Sequence, residues 1–414
     1  MKSNWKRTLR VIWIAQLLAI IGFSATSPIY PYYIQFLGVE EHLTARWAGY
    51  VISAASLSMG IMGPIWGALG DRYGRKSMVM RAMFGGAVAI GLQGFAQNVG
   101  QFFALKFIQG ALTGTVTAAT ALVASKTPKQ RLGETLGKLQ LAIFLGQAFG
   151  PVVGGFVADL VGFRATFWMN GIFLFASGMM ILFLVTEEFT PVEGVGKVTF
   201  WRGMGQDFSM ILGGSLLGLV LLLRFALRVG MRVVGPTLPL IVQEMMPGTA
   251  LLGSASGLLA TTLGIASAMS APLVGRWADR KNPRDYLLAG ALLAATALIG
   301  QALATSYWLL VVWQFVLGLG LGSTLAVISS YIGRLAPEGR VGTAFGLDAL
   351  AVSMAGAIGP SLGGWLSDTM TRQMPLYVGG VLMALAGVGV LRLPRETHAP
   401  EATSPEAEPM ERTA

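Results

Sequence analysis

The chain has 414 residues, of which 54% are hydrophobic and only 12% charged, and its 30 Lys and Arg outnumber its 20 Asp and Glu. A soluble domain spends roughly a quarter of its residues on charge to clothe its surface, so this composition excludes a single water-soluble globule. With no Cys in the sequence, disulfides and thiolate metal sites are excluded as well.

Apolar stretches of about 20 residues, the length that crosses a hydrocarbon core of about 30 Å as a helix, recur along nearly the whole chain. Twelve spans are read, at residues 11–35, 46–68, 77–97, 101–124, 134–158, 164–186, 209–242, 251–275, 286–304, 307–333, 341–366 and 373–393. They are too long and too evenly apolar for the alternating ten-residue strands of a membrane barrel, and helices satisfy their own backbone in lipid. The expected class is all-α integral membrane, with twelve transmembrane helices in two pseudo-symmetric six-helix bundles. The expected divisions are a first bundle at 1–186, a polar linker at 187–208, a second bundle at 209–393 and a disordered tail at 394–414, rich in Pro, Glu and Ala.

Span 1 has no small-residue cleavage signature and reads as a retained helix. Between spans 2 and 3 lies Gly67-Ala68-Leu69-Gly70-Asp71-Arg72-Tyr73-Gly74-Arg75-Lys76, where Gly67 and Gly70 let span 2 end against a neighbour, Gly74 allows a tight turn, and Asp71 can meet the positive N-terminus of another helix. In span 4, Lys106 is a cation at membrane depth, with Gln109 one turn on, and such a residue is a functional candidate by default. In span 5, Gly146, Gly150 and Gly154 share one face for close helix approach, followed by Gly155, while Pro151 removes a backbone donor.

Span 7 carries Arg224, Arg228 and Arg232 along one face. They are expected to face protein or a cavity, because lipid is costly for them. Asp348, about 12 Å into span 11 at 1.5 Å per residue, is the expected partner of Arg224.

Twenty-three of the 30 basic residues fall on the loops and termini of one face, whereas the opposite face holds Arg46, Arg164 and Arg372. The positive-inside rule therefore puts both termini in the cytoplasm. The basic residues are spread over short loops rather than gathered on a folded domain, so no nucleic-acid partner is expected; anionic lipid of the bilayer is.

The chain also repeats itself. Pro28 and Pro31 recur as Pro236 and Pro239, and Pro64, Gly67 and Asp71 as Pro272, Gly275 and Asp279, which Arg280 follows, each 208 positions on. Gly150, Pro151, Gly154, Gly155 and Asp159 recur as Gly359, Pro360, Gly363, Gly364 and Asp368 at an offset of 209. The same alignment equates Gln16 with Arg224 and Ser24 with Arg232.

Two six-helix halves with these motifs resemble the major facilitator superfamily of transporters over about residues 5–393. The resemblance implies two bundles about a central cavity, with alternating access by rocking one half on the other. Spans 1, 4, 7 and 10 would line the cavity, and spans 2, 5, 8 and 11 would join the halves. It also implies that Asp71 latches the outward-facing state against the start of span 11, and that Arg72 and Arg75, with Asp279 and Arg280 in the second copy, belong to that latch. The acid often found at the end of span 4 is missing from Ser125-Lys126-Thr127, which leaves Glu134 as the substitute partner.

The string Leu145-Gly146-Gln147-Ala148-Phe149-Gly150-Pro151-Val152-Val153-Gly154-Gly155 is similar to the antiporter motif of drug:proton exporters, and Lys106, Gln109 and Gly110 hold the places of an Arg, Gln and Gly common in their span 4. The expected function is thus proton-coupled efflux of hydrophobic small molecules. The alternative is a symporter or uniporter of the same superfamily for a specific metabolite or organic anion.

Candidate proton carriers are Asp348, Glu134 and Asp71. Candidate cavity residues are Lys106, Gln109, Arg224, Arg228, Arg232, Gln16, Tyr30 and Trp313, with Tyr32, Tyr33, Phe144 and Phe345 as further aromatic walls. Three Arg and a Lys against one deep carboxylate point to neutral, zwitterionic or anionic cargo. No cofactor and no metal are expected, the proton gradient being the drive, and the protein is expected to act as a monomer in the cell membrane. Catalysis is not expected, since His42 and His398 lie outside the spans with no nucleophile and base beside them, and no phosphate-cradling loop is present.

Overall fold

The computed structural model describes residues 5–128, 131–187, 216–336 and 341–395, and within its helices the side chains of residues 68, 71, 279, 280, 326 and 341–343 are not described. The expected linker beyond Glu187 and the expected tail from Glu396 lie outside the described residues. Among the described residues twelve membrane crossings run through fifteen α-helices, because three crossings are broken.

The first crossing is α1 (Trp5–Thr26) and α2 (Tyr30–Phe36), separated by a 3₁₀ turn at Ser27–Ile29. The seventh repeats this break, with α9 (Leu216–Arg232) followed by α10 (Leu238–Met245). Pro31 and Pro239 each stand in the first turn of the short helix, where a missing N–H leaves no gap in the ladder. The fourth crossing, expected as one continuous span, is α5 (Val99–Leu112) and α6 (Thr115–Lys126). The physical reason is Gly114, whose φ of 121° is a conformation that side chains resist.

The second and third crossings, α3 (Thr44–Tyr73) and α4 (Arg75–Gln93), turn on Gly74 at φ 90°. The fifth and sixth are α7 (Leu132–Val161) and α8 (Phe163–Leu184). The last five are α11 (Leu252–Arg280), α12 (Pro283–Ala302), α13 (Tyr307–Leu335), α14 (Val341–Thr369) and α15 (Met374–Val390). Phe183, Ile172, Leu160 and Trp308 are more than half exposed on the outside of the bundle, as lipid-facing side chains are in a multi-pass membrane protein.

Helices α1–α8 form one half and α9–α15 the other. The halves meet along α3 with α14 and along α7 with α11, and the two seams repeat one another. A Cβ at Gly49 would overlap the carbonyl oxygen of Pro360, and one at Gly257 would overlap that of Pro151. Likewise Gly364 lies on the carbonyl of Ala45, and Gly155 on that of Gly253.

These contacts crowd one end of the molecule, the end opposite the α3–α4 turn. Toward the α3–α4 turn, the basic end, they stop among the described residues, none of which lies within 4 Å of a Cβ built at Gly63, Gly67 or Gly346. No described residue seats against Gly67 in this conformation, and the start of α14, its expected neighbour, has no described side chains at 341–343. Gly70 meets Met78 of α4 within its own half instead.

Candidate functional site

The glycines of α7 serve two surfaces. Gly146, Gly150 and Gly154 lie against Ile20, Ile21 and Ala25 of α1, so the stripe fixes the first crossing within its own half. Gly155, one position on, faces α11 of the other half, and the carbonyl of Pro151 receives Gly257. A shift of α7 is therefore felt by the first crossing and by the seam at once.

The closed end is held by polar groups that cross the seam. Asp159, at the end of α7, accepts hydrogen bonds from the Gly253 and Ser254 amides at 2.9 and 2.7 Å, the first amides of α11, where a helix favours negative charge. Its repeat mate Asp368, at the end of α14, pairs with Arg46 at the start of α3 at 3.3 Å. Tyr32 donates to the carbonyl of Pro239 at 2.6 Å and lies 2.8 Å from the Ser256 hydroxyl. Arg372 reaches Glu41 across the seam at 2.7 Å and Glu244 at 3.2 Å. Sequence reasoning placed Arg46, Arg164 and Arg372 on this face without naming partners and so missed this set, although the repeat of Asp159 as Asp368 was the signal for it.

In the first half, Lys106 is 3% exposed. Its ammonium donates to the Tyr30 hydroxyl at 2.5 Å and to Gln109 Oε1 at 3.0 Å, and that oxygen also accepts from Gln93 Nε2 at 2.9 Å. The Tyr30 hydroxyl lies 3.0 Å from Thr26 Oγ1. No carboxylate among the described residues is within ion-pair distance of Lys106. Tyr33, Phe102 and Phe167 pack ring on ring beside it, with centroids 4.6 to 5.6 Å apart, and so hold α2 to α5 and α8.

In the second half, Arg224 Nε lies 3.0 Å from Asp348 Oδ1, with both side chains nearly buried. This pair joins α9 to α14, a seam helix, and is the partnership the sequence suggests. Arg228 lines a narrow cleft with Leu227, Met231, Leu321, Leu325 and Ile328 between α9 and α13. Arg232 packs its Cβ on Gly359 of α14.

At the basic end, the carboxylate of Glu187 accepts the backbone N–H of Arg75 at 3.1 Å and of Lys76 at 2.8 Å, capping α4, while Arg75 Nη1 donates to the Ala121 carbonyl at 2.8 Å. The acid that meets this loop is thus Glu187 and not Glu134. Glu134 is exposed and pairs one turn along its own helix with Lys138 at 2.5 Å, because the first turn of α7 points into solvent. Arg72 is exposed and leans over Tyr73. The side chains of Asp71, Asp279 and Arg280 lie outside the described residues.

Two further cavity candidates sit elsewhere. Gln16 is fully enclosed, with no hydrogen-bond partner for its carboxamide. The Trp313 indole packs on Gly300 of α12, a seam within the second half. Among the described residues no cluster of three or more His, Asp or Glu is placed to hold a metal ion.

Two repeated six-helix halves, closed on each other at one end and parted at the other around buried polar groups, make a membrane transporter of the alternating-access class, not an enzyme. The chain belongs to the Major Facilitator Superfamily, whose sequence model matches residues 12–227 and again 220–413. It is 32% identical over 397 residues to the multidrug resistance protein MdtG of Rahnella sp., covering 95% of each chain. It is 29% identical over 383 residues to the multi-drug resistance efflux pump PmrA of Streptococcus pneumoniae, covering 92% of this chain and 95% of that one. Among solved structures, a D-xylose-proton symporter superposes with a TM-score of 0.76 at 15% identity over 95% of this chain and 99% of that one. The human organic anion transporter MFSD10 gives 0.69 at 18% over 94% and 100%. At such identities these two share the fold.

Proposed function

We propose that the protein is a proton-coupled exporter of hydrophobic small molecules, acting as a monomer in the cell membrane with both termini in the cytoplasm. Relatives about 30% identical over more than nine-tenths of both chains carry multidrug efflux in their names, and the stripe at Gly146, Gly150 and Gly154 suits the same class. The basic loops assign the open end to the cytoplasm, so the conformation is inward-facing and ready to take cargo from inside the cell.

The observation that carries the reading is the Arg224–Asp348 pair. Asp348 is the one carboxylate among the described residues seated well inside a crossing and paired there. Adding a proton to it cancels its charge and releases Arg224, and because Asp348 stands on α14 that event bears on the seam along which the halves rock. Glu134, exposed and paired with Lys138, is less suited to the task.

The test is proton movement in proteoliposomes under an imposed pH gradient, with a panel of lipophilic cationic, neutral and anionic compounds. Compound-induced proton movement is expected from wild type and from Glu134→Gln, and its loss from Asp348→Asn. A compound that equilibrates across the membrane while none moves protons would overturn the antiport reading in favour of a uniporter.

A further inference from the structure

Four cations lie at membrane depth in the described residues, namely Lys106, Arg224, Arg228 and Arg232, and they do not share one fate. Lys106 is occupied by neutral oxygens and Arg224 by Asp348. Arg228 stands one turn, about 6 Å, beyond Arg224. It is only partly exposed, and it makes no ion pair or hydrogen bond with any described residue.

A guanidinium carries five donors and cannot shed its charge. Withdrawn from water, it calls for an anion.

The lining offers no free one, since Arg224, which also lines the cleft, already holds Asp348. Leu227, Met231, Leu321, Leu325 and Ile328 present carbon and sulfur, and the Thr324 hydroxyl already donates to the Leu321 carbonyl at 2.9 Å. In chemistry that lining matches one anionic head with an apolar body, while the cleft itself is closed to about the size of a water in this conformation. A cation entering the same cleft would meet Arg228 beside the mutually neutralised Arg224–Asp348 pair and be repelled.

We infer that Arg228 is the recognition point for the cargo's anionic head, and that the cargo class is organic monoanions with an apolar body. This rests on the exporter reading and narrows it. Sending an anion out while a proton comes in moves positive charge inward on both legs, so a negative-inside membrane potential drives the exchange.

The probe is radiolabelled decanoate, with methyl decanoate and decyltrimethylammonium as neutral and cationic partners of the same tail length. Binding is measured on the full chain in phosphatidylcholine nanodiscs for wild type, Arg228→Gln and Arg228→Lys, each first checked for an unchanged unfolding temperature. Decanoate affinity is expected to fall about tenfold or more in Arg228→Gln, the scale of a lost hydrogen-bonded charge. It is expected to be partly kept in Arg228→Lys, with the neutral probe unaffected by either change.

Decanoate binding equal in wild type and Arg228→Gln overturns the inference, as does tighter binding of the cationic probe by wild type. Displacement of decanoate by added phosphatidylglycerol, with no decanoate flux in proteoliposomes, gives the cleft to a lipid headgroup and overturns the cargo assignment. Neutral compounds that drive proton movement while decanoate neither binds nor moves sink the anion class alone and leave the exporter standing. Decanoate binding that depends on Arg228 in a protein where no compound moves protons supports the site and removes the exporter reading.

Discussion

Gln35 and Gln243 hydrogen-bond to each other twice, Nε2 of each to Oε1 of the other at 3.2 and 3.3 Å, and each is the repeat mate of the other, 208 positions apart. A residue that pairs with its own mate lies on the two-fold relating the halves, so this amide pair marks where the axis leaves the closed end. The chain has no Cys, which makes the point testable without background. Gln35→Cys with Gln243→Cys is expected to cross-link with a short bifunctional thiol reagent and to lose transport until the reagent is cleaved. Transport that continues at the wild-type rate in fully cross-linked protein would show that this end does not open.

Asp159 holds the closed end by charge at a helix terminus. Its carboxylate satisfies two amides at the start of α11, and loss of such a cap costs about 1 kcal/mol. Asp159→Ala is therefore expected to move the population several-fold toward the outward-open state. Ser256→Cys, placed at a residue that is 4% exposed in the closed seam, reports this as faster labelling by a membrane-impermeant maleimide added from the outer side. Unchanged labelling would reduce Asp159 to a local cap.

The glycines of the two ends make opposite predictions. Gly257 has no room for a side chain against the Pro151 carbonyl, whereas a Cβ at Gly67 meets no described residue within 4 Å. Gly257→Val is expected to destabilise this conformation by about 1–3 kcal/mol, the usual range for overpacking, and to lower the unfolding temperature. Gly67→Val is expected to leave that temperature unchanged and still abolish transport, because α3 needs that surface when the basic end closes. Full transport by Gly67→Val would remove the basic-end latch.

The fold was legible because lipid imposes length and apolarity on every crossing, and because the halves repeat at constant offsets. Breaks were less so. Pro28 and Pro236 fall within spans read as continuous, 11–35 and 209–242, yet the chain turns there and resumes as α2 and α10, and Gly114 carries no mark in the sequence that sets it apart from other small residues. Arg224 with Asp348 could be found from depth alone, as charges of opposite sign at equal distance from a face. Glu187 could not, because it acts on backbone amides of Arg75 and Lys76, which carry no mark in a sequence. Trp313 and Gln16 show the remaining limit: a helix known to line a cavity has three other faces, and one-dimensional pattern does not say which face a given ring or amide takes.

The Arg224–Asp348 pair allows structure and coupling to be separated. With side chains only 8% and 13% exposed, removal of one partner strands the other in a poorly solvated place, at a cost of about 3 kcal/mol or more, while removal of both in favour of apolar groups is close to neutral. Asp348→Asn and Arg224→Met are each expected to lower the unfolding temperature in detergent, and the double variant Arg224→Met with Asp348→Leu to recover most of the loss. Proton movement in proteoliposomes is expected to vanish in Asp348→Asn and to stay absent in the double variant, since no group remains there to carry the proton. A double variant that regains both stability and proton movement would place the coupling carboxylate elsewhere and leave this pair a structural tie between α9 and α14.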